Sequence, residues 1–205
     1  ELATILYDQK EYQKANLYFK QIDTISPEFE GYEYGYALSL HAEHQTEEAL
    51  RLTQQGLSKN PFDTRLLLLA SQLSYELHDE QKAEDYLLKA KDNAEDLEEI
   101  ALRLSNLYLE QERFDEVLKF EEQDIDNVLT KWNIARAYQA LEQTTAALER
   151  YRLLLSDLKE NPEFLEQYIY LLREMGDFGE AKHQAEHYLR LVPDDGIMQE
   201  LYDSL

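Results

Sequence analysis

The segment Gly176-Asp177-Phe178-Gly179-Glu180-Ala181 opens a pattern that recurs along the whole chain. Glycine suits a tight turn because it adopts positive φ at no steric cost. Beyond the turn, apolar residues recur three or four positions apart, as on one face of a helix: Phe178, Ala181, Ala185, Tyr188 and Leu189. The pattern ends at Pro193, which does not continue a helix. The segment therefore predicts a tight turn followed by an amphipathic helix.

Small residues mark the same position of this unit along the chain. Four of them follow one another at intervals of 34 residues, and a later pair has the same spacing: Ala15, Ala49, Ala83 and Val117, then Ala147 and Ala181. The step from Val117 to Ala147 is 30 residues, and the missing four correspond to about one helical turn. A helical period of this length indicates a repeat architecture, in which each unit packs on its neighbours. We therefore expect Ala49, Ala83, Ala147 and Ala181 to be buried against a neighbouring helix.

The composition of the chain makes some classes of partner and some kinds of chemistry unfavourable. The chain has 43 acidic and 20 basic residues, a net charge of −23, which disfavours nucleic acid and anionic membranes as partners. No apolar run approaches the ~20 residues that span a bilayer. Cysteine is absent, so neither disulfides nor thiol chemistry contribute. We expect a cytoplasmic protein without cofactors.

The period divides the chain into about six units. The expected bounds are 1–29, 30–63, 64–97, 98–127, 128–161 and 162–195, with a capping helix over 196–205. Helices are predicted over 2–9, 12–24, 32–42, 47–57, 66–77, 81–91, 98–110 and 114–123. The first unit is incomplete because Glu1 enters partway through its first helix, which suggests a fragment. We expect all four prolines between helices: Pro27, Pro61, Pro162 and Pro193.

Several units carry a shared motif of aromatic and small residues. In the fifth unit the first helix has Trp132, Ile134-Ala135 and Tyr138, and the second has Ala147 and Tyr151. The first and sixth units match in part, through Tyr12, Ala15, Phe19 and Pro27, and through Phe178, Ala181, Ala185 and Pro193. On these residues the chain resembles bacterial cytosolic members of the tetratricopeptide-repeat (TPR) family along its full length. Val117 and Glu95 depart from the motif, at positions where alanine and proline are usual.

The resemblance implies an all-α fold, a right-handed superhelical α-solenoid of antiparallel helix pairs. It also implies a non-catalytic interaction scaffold that binds a peptide or protein surface in a concave groove lined by the first helix of each pair. Projected onto this chain, the groove holds Tyr34, Arg65, Tyr75, Arg103, Asn106, Trp132, Asn133, Arg136, Tyr170 and Arg173, with Leu109, Glu110 and Gln139 on the same face. The structural alternative is a self-assembly module that forms homodimers through exposed ends, where Leu2, Ile5 and Leu6 lie uncovered.

Basic residues of the predicted groove suggest the ligand. Arg103, Arg136 and Arg173 can each take a carboxylate bidentately, and Trp132 and Arg136 are spaced for a cation–π pair. The amides of Asn106 and Asn133 can hydrogen-bond a peptide backbone. We therefore expect an acidic or C-terminal segment with an aromatic or aliphatic anchor. Ordinary pairing within helices, such as Arg103 with Glu99, is the competing interpretation.

Two known site patterns occur in the sequence only in part. Asn106 and Asn133 resemble two asparagines of the clamp by which some TPR domains hold chaperone tails, but Leu102, Glu163 and Gln167 occupy the flanking basic positions. The segment from His183 to His187 matches the HxxEH zinc motif of inverted zincins. With no third ligand in the sequence pattern, we interpret that match as a surface coincidence and expect no enzyme activity.

Overall fold

A computed structural model describes residues 1–26, 31–123 and 125–205. Within these ranges the chain forms 13 α-helices and one 3-10 turn and contains no strand. The helices are α1 (Leu2–Asp8), α2 (Tyr12–Ile25), α3 (Tyr32–Ala42), α4 (Thr46–Lys59), α5 (Thr64–Glu76), α6 (Glu80–Lys91), α7 (Glu98–Glu110), α8 (Phe114–Leu118), α9 (Val128–Ala140), α10 (Thr144–Leu158), α11 (Pro162–Glu174), α12 (Phe178–Leu191) and α13 (Gly196–Ser204). The 3-10 turn, Lys119–Glu122, continues directly from α8. None of the described helices is long and apolar enough to cross a membrane.

The helices form two compact units. The N-terminal unit comprises residues 1–100 and the C-terminal unit residues 101–205, so the division falls inside α7. Consecutive helices pack in antiparallel pairs: α1 with α2, α3 with α4 and α5 with α6 in the first unit, and α9 with α10 and α11 with α12 in the second. The fold is therefore an α-solenoid of helix pairs, as the sequence predicts.

Aromatic side chains fill the core of the C-terminal unit. Tyr151, Phe164 and Tyr168 are almost completely buried, and the rings of Tyr151 and Tyr168 stack with centroids 6.0 Å apart. Helix α13 covers one end of this core with Met198 and Leu201. These three rings are the largest fully buried side chains of the described residues, and each buries an extensive apolar surface.

The predicted small positions are confirmed as packing sites. Ala15, Ala49, Ala147 and Ala181 have no exposed surface, and Ala83 is 1% exposed. Val117, the one branched residue at this position, is also fully buried. A second close approach occurs at Gly56, where a Cβ would lie 2.8 Å from the side chain of Leu66 and force it to move.

A left-handed residue ends the turn between the two helices of each pair. These residues are Lys10, His44, His78, Glu112, Glu142 and Gly176, with φ between 57° and 77°. They recur at the repeat interval, and the amide that follows each one bonds back to the first helix, as Asp79 N–H does to Ser74 O at 2.9 Å. The sequence predicts the turn at Gly176 only; at the other five positions a non-glycine residue adopts the same conformation.

Several expected boundaries need correction. Pro162 is the first residue of α11 rather than a linker residue, because proline is tolerated where the N–H has no helical partner. Phe178 is 53% exposed and does not pack as the periodicity suggests. Helix α8 spans five residues, since the 3-10 turn replaces the remainder of the helix predicted to about residue 123. The expected stop at Pro27 and the first unit boundary lie outside the described residues.

At the start of the chain, the expected exposure holds for two of three residues. Leu2 and Ile5 are each 51% exposed, whereas Leu6 packs against the core of the N-terminal unit.

Candidate functional site

The first helices of the C-terminal unit enclose a concave pocket of about 500 Å³. Helices α7, α9 and α11 provide its wall, with one residue from α8. The lining residues are Asn106, Leu109, Glu110, Phe114, Arg136, Gln139, Ala140 and Gln167. We call this set the α9 pocket. Two predicted groove residues, Asn106 and Arg136, lie in it.

Arg136 is the cation of the α9 pocket. Its guanidinium lies 5.7 Å from the ring centroid of Trp132, which confirms the predicted cation–π pair. Its Nη1 donates to Asn133 Oδ1 at 3.4 Å. Among the described residues Arg136 has no carboxylate partner, whereas Arg150 pairs with Glu121 and Arg152 with Asp177. A half-buried guanidinium without a counterion is unusual in so acidic a chain and leaves several donors available to a ligand.

Asn133 lies beneath the pocket rather than in it. The side chain is 3% exposed, and its amide N–H₂ donates to Ser105 Oγ at 2.9 Å and to Asn106 Oδ1 at 2.6 Å. The expectation that Asn133 contacts the ligand is therefore corrected: its hydrogen-bonding groups are used inside the protein. Asn106, by contrast, is exposed and lines the pocket.

Trp132 is a core residue. It is 7% exposed and its ring meets Phe164 edge-on, with centroids 5.9 Å apart. The indole N–H donates to Gln167 Oε1 at 3.2 Å, and Tyr151 Oη lies 2.8 Å from the same oxygen. Burial of the Tyr151 hydroxyl raises its pKa to about 12. Trp132 was predicted to contact the ligand, but it is buried and instead holds the side chain of Gln167 by a hydrogen bond.

The other predicted residues of this unit lie outside the α9 pocket. Tyr170 is partly buried against the aromatic core, and Arg173 is exposed in the last turn of α11. Arg103 on α7 is half-buried and does not line the pocket. Of the three arginines expected to share one wall, the structure places Arg136 alone in this pocket.

Two predicted residues of the N-terminal unit, Tyr34 and Arg65, line a second hollow of about 350 Å³ together with Lys59 and Glu33. Arg65 covers the ring of Tyr34 at 5.3 Å and pairs with Asp63 at 3.0 Å. Burial alone would raise the pKa of Asp63, but hydrogen bonds from Arg65 and from the Leu66 amide lower it overall.

Glu33, at 2% exposure, pairs with Lys59 at 2.5 Å. The charges of this hollow are therefore satisfied within the protein. Tyr75, the remaining predicted residue of the unit, is 43% exposed and lies outside the hollow.

The HxxEH segment does not assemble a metal site in the described part of the chain. His183 is exposed, and His187 Nε2 lies 2.9 Å from the backbone oxygen of Lys159. His187 is half-buried, although the interpretation of this match as a surface coincidence places both histidines on an outward face.

Three lining residues were not among the predicted groove residues: Phe114, Ala140 and Gln167. The last of these could have been found, because Gln167 follows Asn133 by one 34-residue period and so occupies the same position of its helix. Phe114 belongs to a second helix, which the projection onto first helices leaves out.

Comparisons with known proteins agree with this architecture. Residues 129–195 match the family model of YpiA-like, C-terminal tetratricopeptide repeats. The TPR repeat-containing protein YpiA of Bacillus subtilis is 23% identical over 171 residues, 82% of this chain. The chain spans 40% of the length of that relative.

Solved structures share the fold at low sequence identity. The C-terminal part of a TPR repeat-containing protein from Cytophaga hutchinsonii matches with a TM-score of 0.78 and 11% identity, over 95% of this chain and 80% of the other. YrrB, described as a TPR protein with an unusual peptide-binding site, matches with a TM-score of 0.67 and 12% identity, over 90% of this chain and 97% of the other. Residues 129–195 therefore match a family of tetratricopeptide repeats, and the chain has the fold of tetratricopeptide-repeat proteins.

Proposed function

We propose that the C-terminal unit binds a peptide or protein segment on its first-helix face, with the α9 pocket as the principal contact. The TPR fold generally serves as a protein–protein interaction scaffold, and one structural neighbour is described by its peptide-binding site. The observation that carries the proposal for this chain is that the guanidinium of Arg136 lies in a concave pocket and pairs with no carboxylate of the described residues. Neither the fold nor its family is typically enzymatic, and we propose a non-catalytic role in the cytoplasm.

The chemistry of the pocket favours an acidic or C-terminal segment. A guanidinium holds a carboxylate through two parallel hydrogen bonds, a geometry that lysine does not offer. Leu109, Phe114 and Ala140 form an apolar wall that suits an aliphatic or aromatic anchor. Arg103 and Arg173 are proposed to extend the contact beyond the pocket, since both lie on first helices of the same unit.

Capture of the partner from the source cell, quantified by mass spectrometry, tests the proposal. Arg136→Glu reverses the charge in the pocket and should abolish capture of the protein enriched by the wild type. Arg190→Glu makes the same charge change on the exposed face of α12 and serves as the matched control. Circular dichroism should show equal helical content in all three proteins.

Three results decide the matter. Loss with Arg136→Glu and retention with Arg190→Glu support the pocket. Equal retention by both variants would place the partner elsewhere on the molecule. If the wild type enriches only its own chain, light scattering should show a dimer, and the self-assembly alternative would replace the proposal.

A further inference from the structure

We infer that the α9 pocket distinguishes a carboxylate from a carboxamide, and that Gln167 is a specificity-determining residue for this choice. The inference rests on the proposed function, because it specifies which chemical group of the ligand the pocket accepts. It follows from which amide atoms the surrounding side chains force toward the pocket.

The orientation of Gln167 is fixed by groups that donate. The indole nitrogen of Trp132 is a donor only, so the atom it meets at 3.2 Å must be the carbonyl oxygen of Gln167. Tyr151 Oη donates to the same oxygen at 2.8 Å. The amide N–H₂ of Gln167 consequently points away from the core. One of its hydrogens is directed at Glu163 Oε1 at 3.3 Å, and the other has no partner among the described residues.

The orientation of the Asn106 amide is also fixed by groups that donate, in this case through Asn133. Arg136 only donates, so Asn133 must turn its oxygen toward Arg136. The hydroxyl of Ser105 donates its hydrogen to Leu102 O at 3.0 Å. Its oxygen can therefore only accept, and it accepts from the N–H₂ of Asn133. That N–H₂ also donates to Asn106 Oδ1. Asn106 must therefore present its own N–H₂ to the pocket.

The pocket thus offers donors from three side chains on three helices: Asn106, Arg136 and Gln167. Gln139 is the adaptable member. Tyr151 Oη lies 3.2 Å from Gln139 Oε1, but its single proton serves the nearer oxygen of Gln167, so no donor-only group fixes the Gln139 amide. Glu110 is the one carboxylate among the lining residues and opposes an anionic ligand.

Surroundings in which most side chains donate favour a ligand group that only accepts. A carboxylate accepts through two oxygens, whereas a carboxamide replaces one of them with an N–H₂ that faces other donors. Charge-assisted hydrogen bonds are also about twice as strong as neutral ones. We therefore expect a ligand that ends in a carboxylate to bind about tenfold more tightly than its amide.

The experiment uses a matched pair of probes, N-acetyl-L-leucine and N-acetyl-L-leucinamide, titrated into the full chain at constant ionic strength. Both carry the same aliphatic anchor and differ only in the terminal group. Binding is followed by NMR at the side-chain amides of Asn106 and Gln167 and at Nε–H of Arg136. The expected result is saturable shifts at all three sites, with the acid about tenfold tighter than the amide.

Substitution at Gln167 isolates its contribution. Gln167→Glu keeps an oxygen facing Trp132 and Tyr151 but removes the donor and adds a negative charge, so the preference for the acid should disappear while the amide still binds. Glu163→Gln removes a neighbouring carboxylate, leaves the donors in place and should strengthen binding of the acid. Arg136→Gln, which does not alter the Trp132 and Tyr151 contacts to Gln167, should also remove the preference.

The outcomes separate the two claims. Equal affinity for acid and amide, with shifts confined to the pocket, would overturn the discrimination and leave the binding site intact. An acid preference that survives Gln167→Glu would overturn the role of Gln167. Absence of pocket shifts with either probe would contradict the proposed function itself, and the inference with it.

Discussion

At the scale of single residues, close helix packing depends on alanine at one position of the repeat, with Val117 as the exception. Ala49, Ala83, Ala147 and Ala181 are at most 1% exposed, so no room is left beside their methyl groups. Added volume at such a position forces neighbouring side chains out of their preferred rotamers.

Ala83→Leu should lower the free energy of unfolding by about 1–3 kcal/mol through overpacking between α6 and α5. Gln81→Leu, two residues earlier on an exposed position of α6, introduces the same side chain without crowding. Urea denaturation followed by circular dichroism compares the two. Equal stability of both variants would show that the Ala83 position tolerates volume and that the repeat register is wrong.

Residue periodicity predicts which face of a helix a side chain occupies, but not how deep that face lies. The small positions were identified correctly because only close approach explains their recurrence. Trp132 and Asn133 were assigned to the ligand surface from the same face, yet both are buried because neighbouring side chains, Gln167 and Asn106, cover them. Phe178 shows the opposite error, being exposed although it follows the apolar period.

At the scale of elements, each helix pair depends on a left-handed residue in its turn. Five of these positions carry Lys, His or Glu, and the left-handed conformation costs such residues about 1–2 kcal/mol relative to the right-handed one. Glycine at the sixth, Gly176, avoids this cost.

Introducing glycine at one of these turns and removing it from another should therefore change the free energy of unfolding in opposite directions. Glu112→Gly should raise the free energy of unfolding by about 0.5–1 kcal/mol, and Gly176→Ala should lower it by about 1 kcal/mol. Both turns are exposed, so neither change disturbs the core. Thermal melting of the two variants measures the effect, and a shift of the same sign in both would refute the conformational explanation.

The N-cap of helix α13 is Asp195, whose carboxylate can be protonated at low pH. Asp195 accepts hydrogen bonds from the backbone of Ile197 and Met198 at 3.0 Å and from Tyr188 Oη at 2.8 Å. The backbone hydrogen bond from Met198, followed by that of Tyr188, holds the pKa of Asp195 below its usual value. A lowered folded-state pKa stabilises the helix above the unfolded pKa, and this stability is lost as the pH falls through the folded value.

We expect α13 to keep its protection from hydrogen exchange at neutral pH and to lose it selectively below about pH 4. Asp195→Asn retains an acceptor for both amides but does not titrate, so its α13 should not show this additional loss. Exchange at the Leu201 amide, compared between the two proteins across this pH range, provides the measurement. Identical profiles would exclude Asp195 as the source of the pH response.

Element lengths were predictable where the repeat is regular and less so at its interruption. The bounds of α3 and α7 match the expectation, because each lies in an unbroken period. The 30-residue step indicates a shortened second helix, but not that a 3-10 turn would end it, since local hydrogen-bond geometry is not encoded in apolar spacing.

At the scale of the whole molecule, the chain carries a net charge of −23, whereas the α9 pocket offers mostly hydrogen-bond donors. Long-range repulsion acts on the approach of an acidic ligand, whereas the contacts of Arg136 act only once it is bound. The architecture was predictable from the sequence because the period repeats throughout; the pocket was not, because its donors depend on hydrogen bonds between helices.

Salt should therefore accelerate association of an acidic ligand. Raising the ionic strength from about 0.02 to 0.2 M shortens the Debye length and screens the repulsion, so the association rate of the captured partner should increase. Stopped-flow fluorescence measures it, with Arg190→Glu as a variant that binds through the same pocket. A rate that falls steeply with salt would indicate attraction by a basic surface instead.

Site-specific photo-crosslinking in the source cell tests the central claim most directly. A photoreactive amino acid is placed at Asn106 or Ala140 in the α9 pocket, and at Ser156 on the exposed face of α10 as the control. The account predicts that both pocket positions crosslink to one common partner, that Ser156 does not, and that Arg136→Glu removes the crosslink. Crosslinking to that partner from Ser156 but from neither pocket position would contradict binding on the first-helix face.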